Sequence, residues 1–417
     1  MKVLIISYFF PPLNSIASLR PYSWARYFSE QGVDVTVLTT RKHKFENDLD
    51  LSFDGFKVVE IPVPKPFKII SLGRVINFFN RVLSWGIYYK VRFPDESYRW
   101  VKPAFKWASN YQWDVVISSA LPHTVHEVAY LLKKNQKCKI WIADWRDLFS
   151  ENPIYTGLLI FKNIEKALEI KYNSSCDLVC TVSEGLRKYW TKTSNKPVQV
   201  IYNGFFQDDI YVLKNLHNTI DKTNMDQKKV RVTYAGTLYD RVFFIDYFLE
   251  AVGELVKNHI IDANNFELKV FGAFDIYNKI VRYGLKEVYS YGGFVKKDEV
   301  MKHYFLSDFL LFPLEKEENK ENWKGILTGK IFEYLGVNLF IPKPILVIGN
   351  SFDEEKMELL KKSGCCIFLD SKQKVFDFFY NYIQNGTVSI NPNKDFISFF
   401  SRENQARILL SKIKEIL

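Results

Sequence analysis

An apolar run at residues 3–10, a helical pattern over 17–31 closed by Gly32, and a second strand at 34–39 form a β-α-β unit at the start of the chain. Such a unit forces its two strands to lie parallel, because the chain must cross over one face of the sheet to begin the next strand. The theme recurs with a strand at 112–119, a helix after Pro122, a strand at 139–143, a helix over 158–174, and strands at 178–182 and 198–201. Asn203-Gly204 is a turn signal, and a polar stretch at 208–229 follows it. A second series then opens with a strand at 230–236 ending in Gly236, followed by strands at 266–271, 288–292, 309–312 and 344–348. The expectation is an α/β chain of two Rossmann-like domains, residues 1–205 and 206–395, with parallel sheets facing a central cleft. Residues 396–417 read as a helix returning to the first domain. Ligands belong at the carboxyl ends of the strands.

At 417 residues the chain is longer than one hydrophobic core usually organises, which agrees with two domains. Apolar residues at 47% and charged residues at 25% suit a globular protein and argue against disorder. Five cysteines without metal-ligand or CxxC spacing point to a reducing compartment, here the cytoplasm, rather than to a disulfide framework. The first ten residues imitate a signal peptide, but they lack a small-residue cleavage site and run into Pro11-Pro12, so a buried strand is the better reading. No apolar stretch is long enough for a transmembrane helix.

The net charge of +10 is unevenly placed. Residues 65–107 hold nine Lys or Arg against Asp95 and Glu96, interleaved with eleven aromatics. That combination suits a helix lying in an anionic membrane interface, and equally a half-buried helical layer with solvated cations. A single-stranded nucleic-acid groove carries the same residue types but ranks below both, so no nucleic-acid partner is expected.

The stretch 324–335 carries the clearest chemistry. Gly325, Thr328 and Gly329 form a loop opening a helix whose first turn bears Lys330 and Glu333. A helix N-terminus offers unpaired N–H donors and a positive dipole end to an anion. Lys330 adds a point charge for phosphate, and Glu333, about one turn on, is placed to accept hydrogen bonds from ribose hydroxyls. The pattern suits a nucleotide diphosphate, although an ordinary loop-to-helix junction has the same residue types. Asp144, Arg146 and Asp147 follow the strand at 139–143, where an α/β sheet puts its working groups. They are candidates to orient acceptor hydroxyls and donor phosphate, or else a structural Asp–Arg pair tying a loop to the sheet. His123 and His126 share a helix face, but no third His or Cys has telling spacing, so no metal site is expected. A GxSxG elbow, a GxxxxGK[ST] loop and kinase signatures are absent from the sequence, which weakens hydrolase and kinase readings.

With these pieces in order, the sequence resembles the GT-B-fold nucleotide-sugar glycosyltransferases, specifically the retaining glycosyltransferase family four of bacterial surface-polysaccharide type. The resemblance runs through residues 8–12, 32–39, 141–147, 200–205, 234–238 and 325–346. It implies that Glu333 contacts the nucleotide ribose, that the Thr328-Gly329-Lys330 turn faces the diphosphate, and that His123 hydrogen-bonds the donor sugar. There are three departures. Gly325 stands where the family often has a second Glu; Thr237 and Phe243 replace a basic pair after Gly236, leaving Arg241 and Lys330 to neutralise phosphate; and Asn14-Ser15 replaces two glycines in the first loop. Asn14, Ser15 and Arg20 complete the candidate set on the first-loop or acceptor side.

The expected reaction is transfer of a sugar from a UDP- or GDP-linked donor to a carbohydrate acceptor, lipid-linked if residues 65–107 dock on the inner face of the cell membrane. No cofactor or metal is expected, since no DxD-type carboxylate pair has a persuasive context. A GT-B-fold nucleotide-sugar epimerase is the rival enzyme, and a membrane- or RNA-binding scaffold is the non-enzymatic rival.

Overall fold

The computed structural model describes residues 1–41, 49–64, 97–153, 159–208, 211, 213, 215, 229–236, 244–273, 275–317, 320 and 323–417. They form two compact units, residues 1–202 with 405–417 and residues 203–404.

In chain order the first unit contains β1 (Lys2–Ile6), α1 (Ile16–Glu30), β2 (Asp34–Thr40), β3 (Lys57–Ile61), α2 (Tyr98–Ala108), β4 (Trp113–Ser119), α3 (Thr124–Lys134), β5 (Cys138–Trp145), α4 (Leu159–Ser175), β6 (Leu178–Thr181), α5 (Glu184–Thr193) and β7 (Val198–Val200). The strands form one sheet in the order β3-β2-β1-β4-β5-β6-β7, with every neighbouring pair parallel. Val3, Leu4, Ile5 and Ile6 of β1 are fully buried, as are Val115, Val116 and Ile117 of β4. Covering both faces of a parallel sheet demands such continuous apolar runs, which is why these strands stand out in the sequence. Helix α1 ends where Gly32 takes φ +75°. There the Gly32 N–H reaches Ser29 O and the Val33 N–H reaches Phe28 O, with Val33 and Phe28 both buried, a Schellman stop that turns the chain into β2.

The second unit continues with β8 (Val230–Ala235), α6 (Ile245–Lys257), β9 (Phe266–Phe271), α7 (Tyr277–Arg282), β10 (Tyr289–Gly293), α8 (Lys297–Leu306), β11 (Phe309–Pro313), α9 (Gly329–Phe340), β12 (Ile345–Ile348), α10 (Glu354–Lys362), β13 (Cys366–Leu369), α11 (Lys372–Asn385) and α12 (Lys394–Ser398). Its sheet order is β10-β9-β8-β11-β12-β13, again wholly parallel. Helix α6 shows why its residues form a helix here: Ile245, Phe248, Leu249, Val252 and Leu255 fall on one stripe and are all buried. The last helix, α13 (Arg402–Ile416), begins in the second unit and from Gln405 onward belongs to the first. The final segment is therefore two helices, α12 and α13, rather than one.

Both sheets have a switch point, where consecutive strands stop adding on one side and begin on the other. In the first unit it lies between β1 and β4, in the second between β8 and β11. Connections leave these strand pairs in opposite directions and open a crevice at their carboxyl ends.

Two sequence readings fall largely outside the described residues. Of the basic-aromatic stretch 65–107, only 97–107 is described. There, Trp100, Val101, Ala104 and Ala108 of α2 are buried, while Tyr98, Lys102 and Lys106 are exposed. Arg241 also lies outside the described residues. Among those described, no helix is long and apolar enough to cross a membrane.

Candidate functional site

In the first unit, the turn after β4 is held at nearly every residue. Trp141 Nε1–H, which can only donate, gives its hydrogen to Ser118 Oγ at 2.8 Å. The Ser118 hydroxyl hydrogen is thereby left for His126 Nδ1, also at 2.8 Å, which places the ring's own hydrogen on Nε2. His126 is fully buried, and its pKa is pushed down to about 3, by burial first and by the Arg146 charge second, so the ring is neutral. Ser119 Oγ donates to Asp144 Oδ2 at 2.7 Å. The Arg146 Nε donates to Ala120 O and its Nη2 to Leu121 O at 3.4 Å. Burial lowers the pKa of the Arg146 guanidinium, with Asp147 and Asp144 opposing the shift.

Asp144 meets Arg20 in a buried bidentate pair, Nη2 to Oδ1 at 2.7 Å and Nε to Oδ2 at 3.1 Å. Arg20 Nη1 donates to the carbonyls of Ile201 and Tyr202, 2.6 and 3.2 Å away, and its guanidinium lies 4.7 Å from the Trp24 ring. Asp144 and Arg146 thus do not pair as a tie between loop and sheet. Asp144 is engaged by Arg20 and Ser119 with no exposed surface, while Arg146 supports the backbone of the turn. His123, at the start of α3, is buried at 3% exposure. Its ring lies 3.8 Å from Phe149 and 5.5 Å from Trp145 between centroids, and its side chain does not cap the helix. Asp147 is half-buried beside Arg146. Across the switch point, Ser15 caps α1 by accepting the Ala17 N–H at 3.2 Å, next to a half-buried Asn14.

In the second unit, α9 follows β11 and its first turn reaches the end of β8. The Lys330 ammonium donates to Tyr234 Oη and stands 4.0 Å from the Tyr234 ring centroid. A Cβ at Gly236, where φ is +141°, would lie 2.3 Å from Lys330 Nζ, so only glycine leaves room for the ammonium. Burial pushes the Lys330 pKa down to about 8, with Glu333 and Glu315 opposing. Glu333, one turn along α9, is half-buried. Thr328 is the extended residue before the helix, and its buried Oγ1 has no hydrogen-bond partner among the described residues. Gly325, at φ +84°, donates its N–H to Asp353 Oδ2 at 2.7 Å. Six of the seven donor-side candidates, Gly236, Gly325, Thr328, Gly329, Lys330 and Glu333, therefore belong to the loop-helix junction or to the strand end that Lys330 touches. Arg241 is the seventh.

The arrangement offers a half-buried cation, a helix N-terminus and a carboxylate one turn away at a switch point. Among the described residues, no group of three or more His, Cys, Asp or Glu could hold a metal ion. Residues 21–206 match Glycosyltransferase Family 4. Sucrose-phosphate synthase from Thermosynechococcus elongatus aligns with a TM-score of 0.67 at 10% identity, over 100% of this chain and 98% of its own. HepE of Anabaena, solved in complex with UDP and glucose, aligns at 0.62 and 13% identity over 100% of both chains. The chain is a glycosyltransferase of GT-B fold, with its Family 4 match confined to residues 21–206. WaaG, a glycosyltransferase involved in lipopolysaccharide biosynthesis, shares this glycosyltransferase's fold at 0.56 and 12% identity, over 99% of this chain and 98% of that one. No protein of curated function matches the sequence.

Sequence reasoning missed Tyr234, Ser118, Ser119 and Asp353 in this glycosyltransferase. Asp353 had a local signal, an Asp preceding Glu354-Glu355-Lys356 in the manner of an N-cap. Tyr234 and the two serines had none, because each acts on a residue that is distant or on a separate element.

Proposed function

We propose that this glycosyltransferase moves a sugar from a UDP- or GDP-linked donor to a carbohydrate acceptor with retention of configuration, in the synthesis of a bacterial surface polysaccharide. The observation that carries the reading is the Lys330 ammonium, fixed on Tyr234 over Gly236 at the N-terminus of α9, with Glu333 one turn on. As the bond between the sugar's anomeric carbon and the diphosphate oxygen breaks, the leaving nucleoside diphosphate keeps the electron pair. The acceptor oxygen bonds to that carbon, and its proton passes to the diphosphate oxygen that has left. Charge therefore grows on the diphosphate, where a preorganised ammonium and helix N–H donors stabilise it most and no metal is required. Glu333 accepts hydrogen bonds from ribose hydroxyls, and His123 bonds the donor sugar. UDP and glucose in HepE, and the lipopolysaccharide role of WaaG, support this donor and acceptor class. A lipid-linked acceptor follows from the basic and aromatic residues of 65–107, of which Tyr98, Lys102 and Lys106 lie exposed on α2.

Calorimetric titration of UDP and GDP into the unaltered protein and into Glu333→Ala tests the site. Binding of one nucleotide in the presence of EDTA, weakened in the variant, is the expected result. Binding of neither, or equal binding by both proteins, overturns the reading.

A further inference from the structure

We propose that Asp353, acting with Ser351, Glu317 and Lys356, is a positioning residue for the loop that leads into the Lys330 helix; the role of that loop in donor binding rests on the function proposed above. The loop leaves β11 after Pro313 and ends at Thr328. Its first residue is tied to the next strand by the Leu314 N–H to Ile348 O bond, 3.0 Å long. Beyond it the holding groups are side chains from the segment between β12 and α10. The Asp353 carboxylate, 2% exposed, has two duties. Oδ2 accepts the Gly325 N–H at 2.7 Å, and Oδ1 accepts the Lys356 N–H at 3.3 Å as the N-cap of α10. The Asp353 N–H donates to Ser351 Oγ at 3.0 Å, and the Ser351 hydroxyl in turn donates to Glu317. The other Glu317 oxygen pairs with the Lys356 ammonium, and the two side chains are 5% and 6% exposed. Loop residues 317 and 325 are thus pinned to residues 351, 353 and 356 through one closed polar ring.

Burying an ammonium and a carboxylate costs desolvation that apolar residues of similar size avoid, so this ring is a poor way to gain stability alone. Its geometric effect is specific. Gly325 holds φ +84° and is buried, and its carbonyl accepts the Leu327 N–H at 3.0 Å, so the position of the Gly325 amide sets the course of the three residues before α9 begins at Gly329. Lys330, the second residue of that helix, must place its Nζ on Tyr234 Oη over Gly236, where a shift of the helix start would misalign it. Removing the Asp353 carboxylate leaves the Gly325 N–H buried without its acceptor and frees the turn.

The test uses the full chain with Asp353→Ala, Asp353→Asn and Ser351→Ala. Amide hydrogen exchange is followed in the ligand-free proteins, and UDP and GDP binding is followed by calorimetry. In Asp353→Ala, exchange over 325–331 accelerates about tenfold or more while β11 and β12 stay protected, and the nucleotide Kd rises about tenfold. Asp353→Asn, which retains one carbonyl acceptor, recovers most of both. Ser351→Ala, which removes the link to Glu317 and the acceptor of the Asp353 N–H but leaves the Asp353 carboxylate in place, shifts both in the same direction by about threefold and serves if Asp353→Ala does not fold. Unchanged exchange over 325–331, or a lower melting temperature with an unchanged Kd, overturns the inference. If the unaltered protein binds neither nucleotide, the functional reading fails, and the exchange data still decide whether Asp353 positions the loop.

Discussion

Lys330 and His126 show how burial, which lowers the pKa of both, leaves one residue charged and the other neutral at pH 7. Lys330 keeps a usable charge at neutral pH, since its pKa of about 8 lies below the ordinary 10.5 but above physiological pH. An incoming diphosphate stabilises the ammonium, so binding draws a proton onto the fraction of Lys330 that is neutral. The affinity for UDP or GDP is expected to fall by up to about tenfold per pH unit above about pH 8, with proton uptake on binding. Calorimetry in buffers of different ionisation enthalpy measures that uptake, and Lys330→Met removes both the uptake and the pH dependence. His126 cannot serve as an acid or base at neutral pH. Its folded pKa, about 3, lies below the ordinary 6.5, so between these values the unfolded chain binds the extra proton. Stability is therefore whole above about pH 6.5 and is lost as pH falls toward 3, by up to about 1.4 kcal/mol per unit. Urea denaturation at graded pH should give a shallower acid slope for His126→Gln than for the unaltered protein.

At the scale of elements, α9 does two things with its two ends. Its first turn presents Lys330 and Glu333, while Gly336, two turns along, lies against Phe205, the third residue of the second unit. A Cβ on Gly336 would come within 2.6 Å of the Phe205 ring, and a Cβ on Gly204 would meet Phe400 O at 2.2 Å. The stretch around Phe205 is held in turn by Arg402 N–H on its carbonyl at 2.9 Å. Gly336→Ala should therefore destabilise the protein by about 1–3 kcal/mol despite alanine's better helix propensity, because overpacking outweighs about 1 kcal/mol of propensity. A midpoint in urea at or above that of the unaltered protein would show that Phe205 yields freely. β3 and β13 are the strands the sequence concealed. β3 at one sheet edge is only partly buried, so its residues lack the continuous apolar run that marks a central parallel strand. β13, at the edge of the other sheet, is likewise only partly buried.

At the scale of the whole molecule, the net charge of +10 and the exposed Lys102 and Lys106 lead to a prediction about surfaces. Each cation near an anionic bilayer contributes about 1 kcal/mol, screened by salt. The protein should sediment with anionic liposomes at low salt and be released at high salt, and replacing Arg74, Arg81, Lys90 and Arg92 by Glu should abolish that binding without altering nucleotide affinity. Failure of the unaltered protein to sediment would favour a soluble acceptor. The fold class, the two parallel sheets and the Gly325–Glu333 junction were determined by the sequence itself, because each depends on local information: the period of apolar residues, a glycine that stops a helix, and a contiguous turn before a helix. The partners of the working groups were decided only by tertiary structure. Arg20 finds Asp144 across 124 residues, Lys330 finds Tyr234 across 96, and Gly325 finds Asp353 across 28. Strand order brings these residues together, and it is set by which crossovers bury both faces of each sheet, a property of the assembled core that no single segment carries.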